Sequence, residues 1–134
     1  MDHPHLKYQR LIDFCKALPP TSVAVAHPCD EASLTGAMDA ARAGLIAPLL
    51  VGPRDRIEAT ARRFGIDISG VPIIDVPHSH AAAERAVELV REGSAEALMK
   101  GSLHTDELMG AVVRRESGLR TSRRVSHCFV MDVP

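Results

Sequence analysis

The sequence predicts an α/β protein built on a doubly wound, mostly parallel sheet. Short apolar runs alternate regularly with amphipathic helical patterns, which is typical of chains that form a sheet covered by helices on both faces. The runs are continuously apolar instead of alternating, as expected of parallel strands that are buried on both sides. In chain order, the predicted strands are residues 22–27, 47–52, 71–76, 96–101 and 125–131.

A leading helix precedes the first strand, in the segment 1–20, and extends from about His5 to Ala17. Its apolar residues recur at helical spacing, and the sequence "LPPTS" ends it because proline interrupts a helix. We expect this helix to bury its apolar side, which carries Leu11, Phe14, Cys15 and Leu18.

Each of the first four strands is followed by a predicted helix with recognisable ends. Asp, Ser and Thr favour the N-cap position, proline favours the first turn, and glycine favours the position after the last turn. The predicted starts and stops are Asp30 and Gly44, Pro53 and Gly65, Ser79 and Gly93, and Thr105 and Gly118, with Arg114 and Arg115 in the last turn of the fourth helix.

Composition narrows the possible classes of protein. The 134 residues suit one domain, and 46% hydrophobic with 25% charged residues is ordinary for a globular protein. A net charge of −1 argues against general nucleic-acid binding and against a basic membrane-binding surface. Three widely spaced cysteines suggest neither a disulfide framework nor a metal site, so a reducing cytoplasm is the expected location. Because the chain stops directly after a strand, we expect it to be part of a larger protein.

The clearest candidate for a binding site is "KGSLHT", residues 100–105, at the end of the fourth strand. Ligands of open α/β sheets bind at the carboxyl ends of strands. Lys100 brings positive charge, Gly101 permits close approach to the backbone, and Ser102 and Thr105 place hydroxyls beside the free N–H groups of a helix start. This pattern favours an anion site. A tight turn with Thr105 as N-cap and a solvated Lys100 would give the same residues.

Two further groups of residues are weaker candidates. Arg120, Arg123 and Arg124 lie in one loop, where arginines can bind phosphate through two hydrogen bonds, although most such loops are simply solvated. Ser126 and His127 are adjacent in a predicted strand, so their side chains point to opposite faces and each would line a pocket separately.

Histidine and cysteine residues near the strand ends do not indicate a metal site. His27, His78 and His80 have no carboxylate or cysteine at ligand spacing, so surface or packing roles are favoured. Cys29 lies at a helix start, where the pKa of a thiol can fall, but no base partner is assigned to it.

The segment "MKGSLHTDELMGAVVRRESGLRTSRRVSHCFVM", residues 99–131, resembles the phosphate acetyltransferase/phosphate butyryltransferase family. Gly101 and Thr105 match a turn of the acetyltransferase branch, and Ser126 and Phe129 match a later strand. Lys100 and His127 stand where that branch has serines, which favours the butyryltransferase branch. The resemblance extends through "SVAVAHPCDEASLTGAMDAARAGLIAPLLVGP", residues 22–53, and so covers essentially the whole chain.

The resemblance implies a fold like that of isocitrate and isopropylmalate dehydrogenases, with two α/β domains around a cleft. It implies acyl transfer between coenzyme A and inorganic phosphate, with coenzyme A as a substrate and no bound cofactor or metal. Residues 1–134 would be the N-terminal portion, and the catalytic residues would lie in the second half. The family also implies homodimers and, in some members, fusion to an enoyl-CoA hydratase-like domain.

On this basis, Lys100, Gly101, Ser102 and Thr105 are expected to bind phosphate or acyl phosphate. Ser126 and His127 would line the cleft, and Arg120, Arg123 or Arg124 would contact the phosphates of coenzyme A. Two other classes stay open: a non-catalytic phosphate- or CoA-binding α/β module, and a flavodoxin-like regulatory domain. The second is disfavoured because "HPCDE", residues 27–31, lacks a receiver-type acidic cluster.

Overall fold

The structure, a computed structural model, describes residues 6–133 and confirms the predicted α/β class. Strands and helices alternate along the chain. They are α1 (Leu6–Lys16), β1 (Thr21–Ala26), α2 (Glu31–Arg42), β2 (Ile46–Gly52), α3 (Arg54–Phe64), β3 (Ile73–Asp75), α4 (Ser79–Arg91), β4 (Ala97–Lys100) and α5 (Thr105–Val113).

The four strands form one parallel sheet in the order β3-β2-β1-β4. From β1 the chain proceeds outward to β2 and β3, and then returns to place β4 on the other side of β1. At the carboxyl edge, Ala26 of β1 is in register with both Val51 of β2 and Lys100 of β4. The direction of winding therefore reverses between β1 and β4, and this reversal is the topological switch point of the sheet.

The two faces of the sheet bury two separate apolar clusters. Ala24 and Ala26 of β1 pack with α4 and α5, whereas Val23 and Val25 pack with α2 and α3. Successive residues of a strand point to opposite faces, so a strand between two helical layers must be apolar at every position. This arrangement confirms the interpretation of the continuous apolar runs.

The helix ends follow the predicted chemistry closely, with small shifts. Asp30 caps α2 by accepting a hydrogen bond from the backbone N–H of Ser33, and Gly65 ends α3 in the left-handed conformation with φ of 63°. The N-caps of α4 and α5 are His78 and His104, one residue before the predicted Ser79 and Thr105.

The end of α5 was predicted too late. The helix stops at Val113, so Arg114 and Arg115 lie beyond it instead of in its last turn. Gly118 instead closes the turn that follows, where its N–H donates to the carbonyl of Arg114 at 3.1 Å.

The fifth predicted strand, residues 125–131, does not form among the described residues. Its apolar side chains are exposed, with Phe129 at 77% and Val130 at 85% of full exposure. A strand is stable only when a neighbour satisfies its N–H and C=O groups, and the described sheet supplies no such pairing for this segment. The prediction of a strand here is wrong for this chain.

The leading helix forms, but it does not bury its apolar side as expected. No described residue of α1 is buried, and Leu11, Phe14 and Leu18 are 45%, 67% and 50% exposed, with Cys15 of intermediate exposure. Among the described residues, the two apolar clusters of the sheet are formed without any residue of α1. The part of the predicted helix at His5 lies outside the described residues.

Across residues 6–133, every helix is too short or too polar to cross a lipid bilayer.

Candidate functional site at the switch point of the sheet

The candidate site lies where the loops after β1 and β4 meet. The N–H of Gly101 donates to the carbonyl of Ala26, and the N–H of Ser102 donates to the carbonyl of His27, both at 2.8 Å. A Cβ atom at position 101 would overlap backbone atoms of Ala26 and His27. Glycine at this position therefore lets the two loops lie in direct contact, which explains the strand-end glycine of "KGSLHT".

Ser102 reaches the predicted edge, but its hydroxyl is directed at the β1 loop. Its Oγ donates to the carbonyl of His27 at 2.8 Å and accepts from the backbone N–H of Cys29 at 3.1 Å. With both partners satisfied, the hydroxyl holds the two loops together. Its predicted contact with a ligand stays a prediction.

Lys100 and Thr105 are exposed at the same edge. The Nζ of Lys100 lies 3.4 Å from the carbonyl of Gly101, and its charge contributes to holding the pKa of Asp30 below the usual range. The larger cause of the lowered pKa of Asp30 is its hydrogen bonding with the side chain and N–H of Ser33. Lys100 thus keeps a solvent-facing charge at the carboxyl edge, as an anion contact requires.

His27 lies at the same edge, and the sequence pattern predicted only a surface or packing role for it. Its side chain is buried, with 4% exposure. Among the described residues other than glycine, His27 alone has a positive φ angle, which is 56°. Its Nδ1 lies 2.9 Å from the carbonyl oxygen of Ser102, and its Nε2 lies 3.5 Å from Nη1 of Arg56. The prediction of a packing histidine is consistent with this burial. The position of a histidine directly after a buried strand was the available signal for a larger role, whereas nothing in the sequence pattern singled out Arg56.

Cys29 is half-buried beside this cluster. Burial raises the pKa of its thiol above the ordinary value, and the nearby charge of Arg56 only partly offsets that effect. The raised pKa argues against a reactive Cys29, because activation of a cysteine requires a lowered thiol pKa.

Glu107 connects the start of α4 with the start of α5. Its carboxylate accepts hydrogen bonds from the hydroxyl of Ser79 at 2.9 Å and from the N–H of His104 at 3.0 Å, and it lies 3.1 Å from Nε2 of His80. The two helix starts that flank the carboxyl edge are therefore held in a fixed relation.

The remaining predicted site residues are not brought to this edge by any hydrogen bond in residues 6–133. These residues are all exposed in the segment after α5: Arg120, Arg123, Arg124, Ser126 and His127. In this segment, the ring centroids of His127 and Phe129 lie 4.3 Å apart. Their predicted contacts with substrate stay predictions. Within the described part of the chain, no group of three or more His, Cys, Asp or Glu residues is arranged to hold a metal ion.

Comparison with known proteins points to one family. A phosphate acetyltransferase of Rhizobium meliloti is 58% identical over 96% of this chain, and one of Rickettsia felis is 52% identical over 85%. A phosphate butyryltransferase of Clostridium acetobutylicum is 38% identical over 82% of the chain. These matches cover 40%, 33% and 36% of the respective relatives, so the chain spans well under half of their length.

A solved structure supports the fold. The EutD phosphotransacetylase of Staphylococcus aureus superposes on 73% of this chain with a TM-score of 0.60 at 17% identity, and the match covers 39% of that protein. No model of a protein family matches the chain. Over most of its length, the chain is therefore similar to a part of proteins named phosphate acetyltransferase and phosphate butyryltransferase.

Proposed function

We propose that this chain forms one wall of the substrate cleft of a phosphate acyltransferase, which moves an acetyl or butyryl group between coenzyme A and inorganic phosphate. The observation that carries the proposal is 58% identity to a phosphate acetyltransferase over 96% of the chain. The two relatives at 58% and 52% identity are named acetyltransferase, whereas those at 38% and 34% are named butyryltransferase and another acetyltransferase is 31% identical. Acetyl is therefore the first acyl group to test.

The chemistry of the proposed reaction fits the charges at the switch point. The sulfur of coenzyme A, as thiolate, attacks the carbonyl carbon of the acyl phosphate, the new C–S bond forms, and the C–O bond to phosphate breaks. Phosphate leaves with the bonding electrons. Both substrates carry phosphate groups, and the work of the enzyme is to hold them together and to stabilise negative charge. Lys100 and the exposed N–H groups at the start of α5 would bind phosphate or acyl phosphate, with coenzyme A acting as a substrate.

Several wider properties belong to the same proposal. The chain would be the N-terminal portion of a two-domain enzyme whose catalytic residues lie in the other portion, and the whole protein would work in the cytoplasm as a homodimer. Fusion to an enoyl-CoA hydratase-like domain is a further proposed arrangement. The partial coverage of the relatives supports a missing second portion.

Acyl-phosphate formation from phosphate and either acetyl-CoA or butyryl-CoA tests the proposal. The chain alone is compared with the chain joined to the portion of the Rhizobium meliloti relative that lies outside the match. We expect turnover only in the joined protein, and the intact relative serves as the positive control. If the joined protein is folded and binds phosphate or coenzyme A without turnover, the proposed enzymatic activity is contradicted and a non-catalytic binding module is favoured.

A further inference from the structure

We propose that His27 is a positioning residue that holds Arg56 at the switch point as a contact for a phosphate group of the substrates. This inference rests on the proposed function and deepens it, because it adds two residues to the binding wall that the sequence analysis left out. It starts from His27, whose backbone has a positive φ of 56°.

The backbone of His27 adopts a conformation that costs free energy. A φ of 56° places a side chain with a Cβ atom in the left-handed region, which few residues other than glycine adopt, although asparagine, aspartate and histidine are enriched among them. Such strain persists where the surroundings impose it, and it is concentrated at functional sites. Here the carbonyl of His27 accepts from both the N–H and the hydroxyl of Ser102, so the conformation joins the loops after β1 and β4.

The hydrogen bonds of the ring fix which nitrogen carries the proton. The carbonyl oxygen of Ser102 only accepts, so Nδ1, at 2.9 Å from it, must be the donor. In the neutral ring, a proton on Nδ1 leaves the lone pair on Nε2, which faces Nη1 of Arg56 across 3.5 Å. The hydrogen bond from Nδ1 to Ser102 thereby directs the lone pair of Nε2 toward Arg56, in the way that an orienting partner selects one tautomer of a functional histidine.

Arg56 is free to meet an anion. Within residues 6–133 it has no carboxylate partner, whereas Arg54, two residues earlier, pairs with Glu58 and donates to the carbonyl of Ile73. Thr60 ties this part of α3 to the β1 loop, because its hydroxyl lies 2.8 Å from the carbonyl of Arg56 and 3.2 Å from that of Cys29. Arg56 also lines a surface groove, so a ligand in the groove would reach the guanidinium. The other charged residues that line this groove are Arg63, Asp30 and Glu31, so an anion there would meet two cations and two carboxylates.

The first test needs no ligand. In this chain, nitrogen-15 NMR of the His27 ring should show a protonated Nδ1 and an unprotonated Nε2. Arg56→Gln should shift the Nε2 resonance, whereas the control Arg54→Gln should leave it in place. An Nε2 resonance that is unchanged in Arg56→Gln would overturn the link between the two residues.

The second test uses inorganic phosphate and coenzyme A as separate probes, titrated into this chain and followed by backbone amide shifts of residues 27–30 and 101–104. We expect Arg56→Gln and His27→Asn each to weaken binding about tenfold, since a charge-assisted contact is lost or misplaced. The double variant should bind no more weakly than Arg56→Gln. Binding of phosphate alone would assign Arg56 to the phosphate reactant, and binding of coenzyme A alone would assign it to a phosphate of that substrate.

The two variants of His27 separate the effect of its backbone strain from the effect of its side chain on the position of Arg56. Asparagine tolerates the left-handed region, and His27→Gly removes the strain entirely, so both variants should fold, as circular dichroism would show. If both bound the probes as the wild type does, or if the wild type bound neither probe, the inference would be overturned. Failure of the proposed function would give a different result. The joined protein would then show no turnover, although binding of the probes would still depend on Arg56.

Discussion

At residue 101, the absence of a side chain sets the distance between the loops after β1 and β4. We predict that Gly101→Ala destabilises the chain by about 2–3 kcal/mol, because the added methyl group overlaps backbone atoms that cannot move aside independently. Gly36→Ala is the matched control. Gly36 lies inside α2 with open space around it, so the same substitution should stabilise the chain by about 0.5–1 kcal/mol. Urea unfolding of both variants measures the two effects, and equal effects of the same sign would contradict the packing argument.

The thiol of Cys29 gives a prediction about reactivity. Burial raises its pKa, so less thiolate is present at neutral pH and alkylation should be slow. Iodoacetamide labelling at pH 7, followed by peptide mass spectrometry, should modify the exposed Cys128 well before Cys29. The rate at Cys29 should still be rising with pH above the usual range of a cysteine thiol. Labelling of Cys29 first would show that it is activated after all.

Lys100 is the residue at this edge with the most direct predicted role in binding. In the joined protein, Lys100→Ala should lower kcat/KM at least about tenfold, or about 1.4 kcal/mol of transition-state stabilisation. The control is Lys16→Ala, which removes an equal charge from α1, away from the carboxyl edge. Steady-state kinetics in phosphate and in acyl-CoA would measure the effect. Wild-type kinetics in Lys100→Ala would remove this lysine from the site.

At the scale of elements, Glu107 links α4 to α5. Hydrogen bonds from the Ser79 hydroxyl and then from the His104 N–H lower the pKa of its carboxyl group in the folded chain. Because the folded-state pKa lies below the unfolded-state value, the ionised carboxylate stabilises the fold above the ordinary glutamate pKa. This stabilisation is lost as the pH falls through the lowered folded-state pKa.

We therefore predict that Glu107→Gln lowers the free energy of unfolding at pH 7 and flattens its decline below about pH 4.5, the usual range of a glutamate. Glu84→Gln is the control, since Glu84 of α4 pairs at 2.6 Å with Arg114, directly after α5, and both side chains are half exposed. An exposed pair contributes about 0–1 kcal/mol, so this variant should behave nearly as the wild type. Chemical unfolding between pH 3 and pH 7 compares them, and parallel curves for Glu107→Gln and the wild type would contradict the prediction.

The predicted elements differ in how far their own residues determine them. A helix satisfies its hydrogen bonds internally, and its ends depend on local side chains such as Asp30 and Gly65, so all five helices were predictable to within a few residues. A strand depends on a neighbour. Residues 125–131 have a strand-like composition but no partner in the described sheet, so their pattern alone was insufficient.

At the scale of the whole molecule, the chain leaves two apolar segments uncovered. Leu6, Tyr8 and Phe14 are exposed on α1, and Phe129 and Val130 are exposed near the other end of the chain. Large exposed apolar residues that lie close together in a chain favour association. The matched relatives are more than twice as long as this chain.

We predict that the chain alone self-associates, with a weight-average mass in sedimentation equilibrium that rises with concentration. The variant Phe129→Ser/Val130→Ser should reduce this association, because it removes the two most exposed of these side chains near residue 130. Ala59→Ser, a comparable change on the exposed surface of α3, is the control. A monomer at every concentration would contradict the prediction.

The sequence by itself determined the α/β class and the helices, because these depend on local periodicity, on caps and on chain order. Binding at the carboxyl edge of the sheet is a prediction from the sequence. The sequence also predicted Lys100 and Gly101 as candidate site residues, and the predicted ligand contact of Lys100 stays a prediction. Only the tertiary structure decided that His27, Ser102 and Arg56 form one connected group. Residues 27, 56 and 102 are far apart in the chain, and the sheet order that joins the loops after β1 and β4 depends on packing between distant segments. The same dependence on distant partners explains why residues 125–131 are exposed, although their composition favours a buried strand.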